Sequence, residues 1–599
     1  MSLLGRLISG LLAGPSSAAA REHCRRGAEL LHEGRLHDSA TEFERALERD
    51  AQCAAAHSGL GIVQHRLGDG ERALAHLMQA VRLQPGNRDI EVLVSQLLLS
   101  CGRAAQARAQ LQALAAAHPR DADVAYYLGT ALRDEGRLDE AREHFERMAQ
   151  AHPDHAAGLE ALAALYRDTG RIDEAIAVYA QVAALRPDLP SAASAVLFHE
   201  QYRSHDRAAL FRSHREWAQR FAPTPPDARV ETHDPDPERR LTIGYVSADF
   251  NRSSAAQFIE PLLAARNADA LRLACYQAST RADAVTSRMR AKADLWRNID
   301  GVDDERAAAL MREDRVDILV DLNGHTRGAR LGVFARRAAP VQATYLGYGA
   351  TTGVAAMDYR ITDRWIDPPG ETEAFYVERL VRLPHSMWCF SPPARAPQPA
   401  PYAPRAQITY GSLNNVAKIR PETLALWGRI LAAVPDSRLL LAGVPAGECR
   451  RRISEVMATE GVAAERLVFR ARASYREFLD LHREIDIALD SFPYAGGATT
   501  CDALWMGVPV LTLSGETALA RTGLSILQTV GLGEWVAYSP REYLDKAVAY
   551  AGAPELQWLR AGLRERVARS PLCDQQSFAS ALQSAYRAIW REHCASLVH

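Results

Sequence analysis

A glycine recurs every 34 residues through the first third of the chain, at Gly34, Gly68, Gly102, Gly136 and Gly170. Four further series keep this spacing. Two consist of small residues, at Gly27, Gly61, Ser95, Gly129 and Ala163 and at Ser39, Ala73, Ala107, Ala141 and Ala175. Large apolar residues occupy Phe43, Leu77, Leu111, Phe145 and Tyr179, and prolines occupy Pro85, Pro119, Pro153 and Pro187. The period restricts this segment to a stack of helical hairpins, in which glycine turns the chain and proline ends the second helix.

This pattern is typical of tetratricopeptide hairpins and predicts five of them over residues 21–189. The small positions would let the two helices of a hairpin approach closely, and the large residue would fill the space beside them. Such stacks form a concave groove that usually binds peptide or protein. We therefore expect a protein or peptide acceptor to bind this groove.

The charge balance of the 599-residue chain argues against a nucleic-acid partner, because 71 basic and 73 acidic residues give a net charge of −2. The nine cysteines include no C-x-x-C pair, which favours reduced thiols and a cytoplasmic location over a disulfide or zinc framework. Residues 1–20 contain a short, interrupted apolar run. We interpret it as an amphipathic leader in preference to a signal peptide, and no other segment is predicted to span a membrane.

A helical extension and linker follow at 190–240, and the last part of this segment is rich in proline and charged residues. The pattern of apolar residues changes after it. Short β-rich runs then alternate with helical stretches, which predicts parallel sheets with helices on both faces; the runs include Leu241–Ser247, Val341–Tyr345 and Arg438–Ala442. A second proline-rich stretch at 391–405 divides this region. We therefore predict an all-α solenoid followed by two α/β domains, at 241–395 and 396–599. The expected ligand site is the cleft at the carboxyl ends of their strands.

The first candidate site lies in IDIALDSFPYAGGATTCDALWMGVPVLTLSG, residues 485–515. A buried strand is followed by Gly496 and Gly497 and then by a helix, so backbone N–H groups there are able to face an anion. Thr499 and Thr500 add hydroxyl groups, and Asp502 could accept a hydrogen bond from a sugar hydroxyl. The stretch predicts a diphosphate site, although an ordinary strand-to-helix turn with capping side chains has the same local composition.

The second candidate site lies in ITYGSLNNVAKIRP, residues 408–421. A strand ends near Ser412, and the following loop carries one cation, Lys418, and two amides, Asn414 and Asn415. The position at the carboxyl end of a strand favours a ligand-binding role. A single lysine on a loop is also compatible with solvated surface, so this stretch alone leaves both interpretations open.

Together the two stretches resemble the tetratricopeptide-containing protein O-linked N-acetylglucosamine transferases, glycosyltransferase family 41. That family carries an N-N-x-x-K or N-Q-x-x-K loop and a DIALDxFPYxGGTTTCDALWMGVPVVTL stretch. Further similar motifs lie in order in the preceding region: GYVSADF at 244–250, DLNGHTRGAR at 321–330, APVQATYLGY at 339–348 and LPHSMWCFSPP at 383–393. The resemblance covers about residues 241–590, and a preceding helical solenoid is also the architecture of the family.

The resemblance implies two Rossmann-like domains of the GT-B type and an inverting transfer of a sugar from a nucleoside diphosphate to a Ser or Thr hydroxyl. UDP-N-acetylglucosamine is the expected sugar donor, with GDP-fucose or another nucleotide sugar as the alternative. Lys418 would neutralise the leaving diphosphate, the backbone of Gly497, Ala498, Thr499 and Thr500 would hold its oxygens, and Asp502 would hold the ribose. No metal or other cofactor is expected, because Lys418 supplies positive charge.

The chain departs from the family at two places. The family places a histidine three residues after its Asp-Phe pair, where this chain has Ser253, and a serine without a partner is no base near neutral pH. Asp249, His325, His385 or a diphosphate oxygen could take the proton instead, although a structural, hydrogen-bonded role is favoured for both histidines. Loss of catalysis, leaving a nucleotide-binding scaffold, is the alternative. The second departure concerns asparagines that grip peptide in many members. Here those positions are Arg25, Gly59, Leu93, Tyr127 and Ala161.

Overall fold

The computed structural model describes residues 17–225, 230–264, 266–399 and 407–597. The predicted leader therefore lies almost entirely outside the described residues, as do parts of both proline-rich stretches. The chain forms two compact units, residues 1–165 and 166–599. Among the described helices, none combines the length and apolar character that crossing a bilayer requires.

The first unit consists of helical hairpins, as the 34-residue period predicts. Its helices are α1 (Ala18–His32), α2 (Leu36–Arg49), α3 (Ala54–Arg66), α4 (Gly70–Leu83), α5 (Arg88–Ser100), α6 (Ala104–Ala117), α7 (Ala122–Asp134), α8 (Leu138–Ala151) and most of α9 (Ala156–Asp168). The recurring glycines turn the chain with positive φ, as at Gly34 (78°) and Gly68 (88°). A Cβ atom at Gly129 would lie 2.6 Å from the Phe145 ring, so the small position and the large residue fit together as predicted.

The second unit begins with the end of α9 and continues through three more helices, α10 (Ile172–Leu185), α11 (Pro190–Glu200) and α12 (Arg207–Phe221). Proline at the first position of α11 is suited to a helix start, because its fixed φ matches the helix and its missing N–H is not needed there. These helices are followed by the region predicted to contain the two α/β domains.

The first α/β domain is built on a sheet that has seven parallel strands in the part of the chain described, in the order β3-β2-β1-β4-β5-β6-β7. The strands are β1 (Leu241–Ser247), β2 (Leu271–Gln277), β3 (Leu295–Asn298), β4 (Ile318–Asp321), β5 (Val341–Tyr345), β6 (Tyr359–Asp363) and β7 (Arg379–Leu383). Helices α13 (Ala256–Ala264), α14 (Ala284–Arg290), α15 (Asp304–Glu313) and α16 (Leu331–Ala335) connect them.

The second α/β domain repeats this plan with six described parallel strands in the order β10-β9-β8-β11-β12-β13. The strands are β8 (Thr409–Ser412), β9 (Arg438–Ala442), β10 (Leu467–Arg470), β11 (Ile487–Leu489), β12 (Val510–Leu513) and β13 (Val536–Ala537). Its helices are α17 (Pro421–Ala433), α18 (Glu448–Thr459), α19 (Tyr475–Leu481), α20 (Ala498–Trp505), α21 (Thr522–Thr529), α22 (Pro540–Ala551), α23 (Glu555–Ala568) and α24 (Gln575–Ser596). In both sheets the strand order reverses beside the first strand, which places a ligand crevice at the carboxyl ends there.

Helices α11 and α12 pack on the first α/β domain, although a proline-rich linker separates them from it in sequence. Leu197 and Trp217 are buried in one cluster with the side chains of Ala307 and Phe334 from helices of the sheet. The Tyr348 hydroxyl also donates to His214 Nε2 of α12 at 2.7 Å. The linker therefore connects elements that pack together.

Helix α24 packs on the first sheet, although it belongs to the sequence range predicted for the second α/β domain. The hydroxyls of Tyr586 in α24 and Tyr245 in β1 are hydrogen-bonded at 3.0 Å, and both rings are buried. The Tyr359 hydroxyl of β6 donates to Glu592 at 3.2 Å. The range 396–599 therefore contains a helix that completes the core of the preceding domain.

Candidate active site

A cavity of about 340 Å³ lies at the carboxyl ends of the strands, between the two sheets. Its volume is within the range of small-molecule sites. The first α/β domain contributes Ser254, Tyr348 and Trp388 to the wall, and the second contributes Asn414, Asn415, Lys418, Gly497, Ala498 and Thr499. Gln201, immediately after α11, also lines it. The cavity brings together six of the residues that the sequence predicts for nucleotide-sugar binding.

Lys418 follows β8 in a short turn at the carboxyl end of the second sheet. Its Nζ donates to the carbonyl oxygen of Ala495 at 3.0 Å and lies 3.9 Å from the centre of the Tyr494 ring. Burial lowers the pKa of Lys418 to about 8, an effect that Asp490 opposes. Within the described parts of the chain no carboxylate forms an ion pair with Lys418, so its charge remains available to an anionic ligand.

The loop between β11 and α20 is fixed by Asp490, a buried carboxylate at the end of β11. It accepts from the backbone N–H of Gly496 at 2.7 Å and from the Asn414 amide at 3.0 Å. The Thr499 hydroxyl donates to the Asn414 carbonyl at 2.7 Å, which ties the loop to the turn after β8. Burial raises the pKa of Asp490, while these hydrogen bonds and Lys418 oppose that shift. The network holds the two candidate stretches in one arrangement before any ligand binds.

Glycine is required at position 496 by close packing. A Cβ atom there would lie 2.6 Å from Thr500 Oγ1 and 2.7 Å from Thr499 Oγ1. At Gly497 the nearest atom to a Cβ would be 3.6 Å away, so this residue is open toward the cavity and begins the turn into α20. The N-terminal backbone of α20 therefore faces the cavity that Lys418 also lines, an arrangement suited to an anion.

The remaining predicted nucleotide-site residues lie around this cavity without contributing to its described wall. Thr500 is buried and lines a second cavity of about 20 Å³ beneath the loop. Asn415, by contrast, is one of the six residues in the main cavity wall, and its side chain also accepts from the Ala417 N–H at 3.0 Å. Asp502 is buried and accepts from the Tyr475 hydroxyl at 2.8 Å, and burial raises the pKa of Asp502 to about 7. Its contact with ribose stays a prediction.

The predicted base His325 is not brought to the cavity. Its Nε2 donates to the Thr352 carbonyl at 2.9 Å, so Nδ1 accepts from the Ser194 hydroxyl at 3.1 Å. The ring packs edge-on against Trp217, with centroids 4.4 Å apart. Burial lowers the pKa of His325 well below its usual value. With both nitrogens engaged inside the protein, His325 has the contacts of a structural histidine, and its role as a base stays a prediction.

The other candidates for proton transfer also lie away from the described cavity wall. The Asp249 carboxylate accepts from the Asn323 amide at 2.8 Å, and burial raises the pKa of Asp249. The Ser253 hydroxyl donates to the Asp249 carbonyl at 3.3 Å, a local contact at the start of a helix. His385 is exposed. Ser254, which the sequence analysis did not select, is the serine of this segment that lines the cavity.

Sequence reasoning also missed Gln201, Tyr348, Trp388 and Tyr494. Tyr348 lies in the APVQATYLGY motif and Tyr494 lies in the FPY motif, so both were present in stretches already selected. Gln201 comes from the helical extension, which carried no motif. In the part of the chain described, no three His, Cys, Asp or Glu side chains are grouped as metal ligands would be.

Comparison with known proteins decides the family. The sequence model for glycosyl transferase family 41 matches residues 227–390 and 400–582, more than half of the chain. The chain belongs to glycosyl transferase family 41. Tetratricopeptide models match residues 24–88, 95–156 and 132–197. The repeats and the two facing parallel-sheet domains are thus the architecture of a family 41 protein, as the sequence motifs predict.

Relatives of this family 41 chain include plant proteins. It is 42% identical over 395 residues to a probable UDP-N-acetylglucosamine–peptide N-acetylglucosaminyltransferase SPINDLY of Petunia hybrida, with 64% of this chain and 42% of that protein covered. It is 32% identical over 371 residues to the probable transferase SEC of Arabidopsis thaliana, covering 59% of this chain and 38% of that protein. The chain thus spans about two fifths of the length of these relatives.

A solved structure covers the family 41 chain throughout. An O-GlcNAc transferase mutant of Thermobaculum terrenum is 31% identical, with a TM-score of 0.70 and 100% of both chains covered. The helical repeats followed by two parallel-sheet domains therefore have a counterpart of known structure. This similarity supports the GT-B fold that the motifs imply.

Proposed function

We propose that the protein is an inverting O-glycosyltransferase that transfers N-acetylglucosamine from UDP-N-acetylglucosamine to Ser or Thr hydroxyls of proteins. The observation that carries this proposal is the joint position of Lys418 and the N-terminal backbone of α20 on one cavity wall between two parallel sheets. The printed names of the relatives and of the solved structure support the sugar and the protein acceptor.

The chemistry follows from charge. The acceptor hydroxyl attacks the anomeric carbon on the face opposite the diphosphate, the bond from that carbon to the phosphate oxygen breaks, and UDP leaves with additional negative charge. Lys418 and the backbone N–H groups of Gly497 to Thr499 stabilise that charge as it develops, which lowers the barrier. No divalent metal is proposed, since the lysine supplies the positive charge.

The hydroxyl proton requires an acceptor, and we propose a diphosphate oxygen of the departing UDP. His325 is engaged inside the protein, and Asp249 is hydrogen-bonded to Asn323. A diphosphate oxygen is present at the reacting centre in every turnover and becomes more basic as the sugar leaves. This route requires no protein base at Ser253.

The helical repeats are proposed to select the protein acceptor through their groove, and the location is proposed to be cytoplasmic. The second proposal is supported by the cysteines, since none of the nine, all of which lie in the described residues, forms a disulfide. The alternatives are a different sugar donor, such as GDP-fucose, or a scaffold that binds nucleotide without transfer.

The decisive experiment incubates the purified protein with a protein lysate and either UDP-N-acetylglucosamine or GDP-fucose, with and without EDTA. Mass spectrometry should find N-acetylhexosamine on Ser or Thr in both EDTA conditions, and a Lys418→Met protein should produce none above background. If only fucose is transferred, GDP-fucose is the sugar donor and UDP-N-acetylglucosamine is not. If neither nucleotide sugar is consumed or transferred, the scaffold interpretation replaces ours.

A further inference from the structure

The cavity wall combines polar and apolar side chains. Lys418 and the loop from Gly497 to Thr499 line it, as does Arg360, which is paired with Asp367. Apolar side chains also line it, among them Phe198, Leu346, Ile366 and Leu519. A sugar carries several hydroxyls, and each one buried without a hydrogen-bond partner weakens binding. A polar group among these apolar residues is therefore of interest.

Gln201 supplies that group. The residue follows α11, lines the cavity and is 3% exposed. Its amide nitrogen has no hydrogen bond of ordinary geometry among the described residues and makes only a weak polar contact with the Tyr348 hydroxyl. Buried amide groups in folded proteins are nearly always hydrogen-bonded, because an unpaired one costs free energy. A buried amide without a well-formed hydrogen bond at a cavity wall is an arrangement expected where a ligand supplies a further partner.

Contacts through aromatic rings place Gln201 close to the diphosphate end of the cavity. The neighbouring Tyr202 ring contacts the Tyr494 ring, with centroids 4.8 Å apart. The Tyr494 ring also contacts Lys418, whose Nζ lies 3.9 Å from the ring centre. A group joined directly to the phosphate held by Lys418 would thus enter the region that Gln201 lines. In a nucleotide sugar that group is the sugar.

The surroundings also hold the Gln201 side chain in place. Its amide lies beside the hydroxyl of Tyr348, a ring that lines the same cavity. The Tyr348 hydroxyl is fixed in turn by its hydrogen bond to His214 Nε2, since Nδ1 of that ring is directed to the Leu210 carbonyl at 2.6 Å. A side chain restrained in this way loses little rotamer freedom when a ligand binds.

We propose that Gln201 is a sugar-binding residue, whose amide hydrogen-bonds the hexose of the nucleotide-sugar donor while Lys418 and the 497–499 loop hold the diphosphate. This proposal rests on the proposed function. Its consequence is that a residue of the helical extension, and not of either α/β domain, takes part in recognition of the transferred sugar.

Two substitutions at the same position test the proposal. Gln201→Met keeps the length of the side chain and removes the amide, whereas Gln201→Asn keeps an amide on a shorter side chain. Isothermal titration calorimetry of the full chain is performed with UDP and with UDP-N-acetylglucosamine. We expect Gln201→Met to bind UDP as the wild type does and to lose about 5–30-fold in affinity for the nucleotide sugar. Gln201→Asn should lose less.

The comparison of the two ligands separates this proposal from the proposed function. If the wild-type protein binds neither UDP nor GDP, the proposed function fails. If it binds nucleotide and nucleotide sugar, but Gln201→Met leaves both affinities unchanged or lowers both equally, the assignment of Gln201 is overturned. An increase in KM for the protein acceptor without a change in affinity for the nucleotide sugar would also overturn it, by assigning the amide to the acceptor. Retained UDP binding shows that the variant is folded.

Discussion

The ammonium group of Lys418 is buried away from solvent. Its Nζ is satisfied by one carbonyl oxygen and one aromatic face, and burial lowers the pKa of Lys418 to about 8. Removing an ammonium group from water is costly unless a counter-charge is close. A bound diphosphate supplies that counter-charge, so we expect ligand binding to restore a higher pKa to this side chain.

Replacing Lys418 by methionine should lower the affinity for UDP by about 10–100-fold, since a hydrogen bond to a charged group contributes roughly 1.5–3 kcal/mol. The matched control is Lys546→Met, because Lys546 also donates to a backbone carbonyl in the same domain, that of Val536, but lies outside the described cavity wall. Calorimetry showing equal UDP affinity in the two variants would contradict the role of Lys418.

The affinity for UDP should also depend on pH in a direction fixed by this pKa. Below about pH 7 Lys418 is protonated in free and bound protein, so affinity is constant with respect to this group. As the pH rises through about 8, the free protein loses the proton that the complex retains, and affinity falls by up to about tenfold per pH unit. Titrations of wild type and Lys418→Arg check this expectation, since arginine stays charged and should remove the decline.

His325 should matter for stability and not for the pH profile of transfer. Truncation to alanine leaves the Ser194 hydroxyl and the Thr352 carbonyl without their present partner inside the protein. We expect His325→Ala to lower the free energy of unfolding by about 1–3 kcal/mol or more. Chemical denaturation measures this loss. A folded variant of unchanged stability that loses the acidic limb of its pH–rate profile would instead support a role as catalytic base.

At the scale of single elements, the turn into α20 depends on a residue without a side chain. Gly496→Ala should reduce UDP affinity, because its Cβ would displace Thr499 and Thr500 and so disturb the backbone that faces the cavity. Gly562→Ala is the control, since no atom lies within 4 Å of a Cβ at that helical position. Calorimetry should show weaker UDP binding in the first variant only. Equal affinities would mean that the loop tolerates the change.

Some elements could be predicted to the residue. The strands Leu241–Ser247, Val341–Tyr345 and Arg438–Ala442 agree with the sequence ranges, because nearly every residue in them is buried and the apolar run is almost continuous. The strands Leu295–Asn298 and Arg379–Leu383 were missed. Each lies at an edge of the sheet with partly exposed, mixed side chains, so no run or period distinguishes it from loop.

The residues of the candidate site also fall into those that the sequence predicts and those that it does not. Lys418 and the loop at Gly496 could be predicted because each stretch is contiguous and follows a strand. The sequence could not predict that Gln201 and Tyr348 line the same cavity, because the packing of α11 and α12 on the first sheet brings them together. The surroundings of His325 could not be predicted for the same reason, because its partners Ser194 and Thr352 are distant in sequence.

At the scale of the whole molecule, the two compact units predict where the chain can be shortened. A chain that begins at residue 156 keeps α9 to α12 and should bind UDP with the affinity of the full chain while losing modification of intact protein acceptors. A chain that begins at residue 241 lacks Trp217 and Ser194, which pack against and bond the first domain, and should unfold at a lower temperature or aggregate. Thermal unfolding and calorimetry distinguish the two. Equal stability would contradict the packing of α11 and α12.

The position of α24 sets an order of events during synthesis on the ribosome. Strand β7 completes the first sheet at Leu383, yet Gln575, the start of the helix that covers part of it, emerges 192 residues later. At 5–20 residues per second this delay is roughly 10–40 s. During that interval the ring of Tyr245 lacks its partner Tyr586, and the nascent sheet presents apolar surface to the cell. Chaperones that recognise such surface therefore have a defined period in which to bind this protein. That period ends when α24 packs on the sheet.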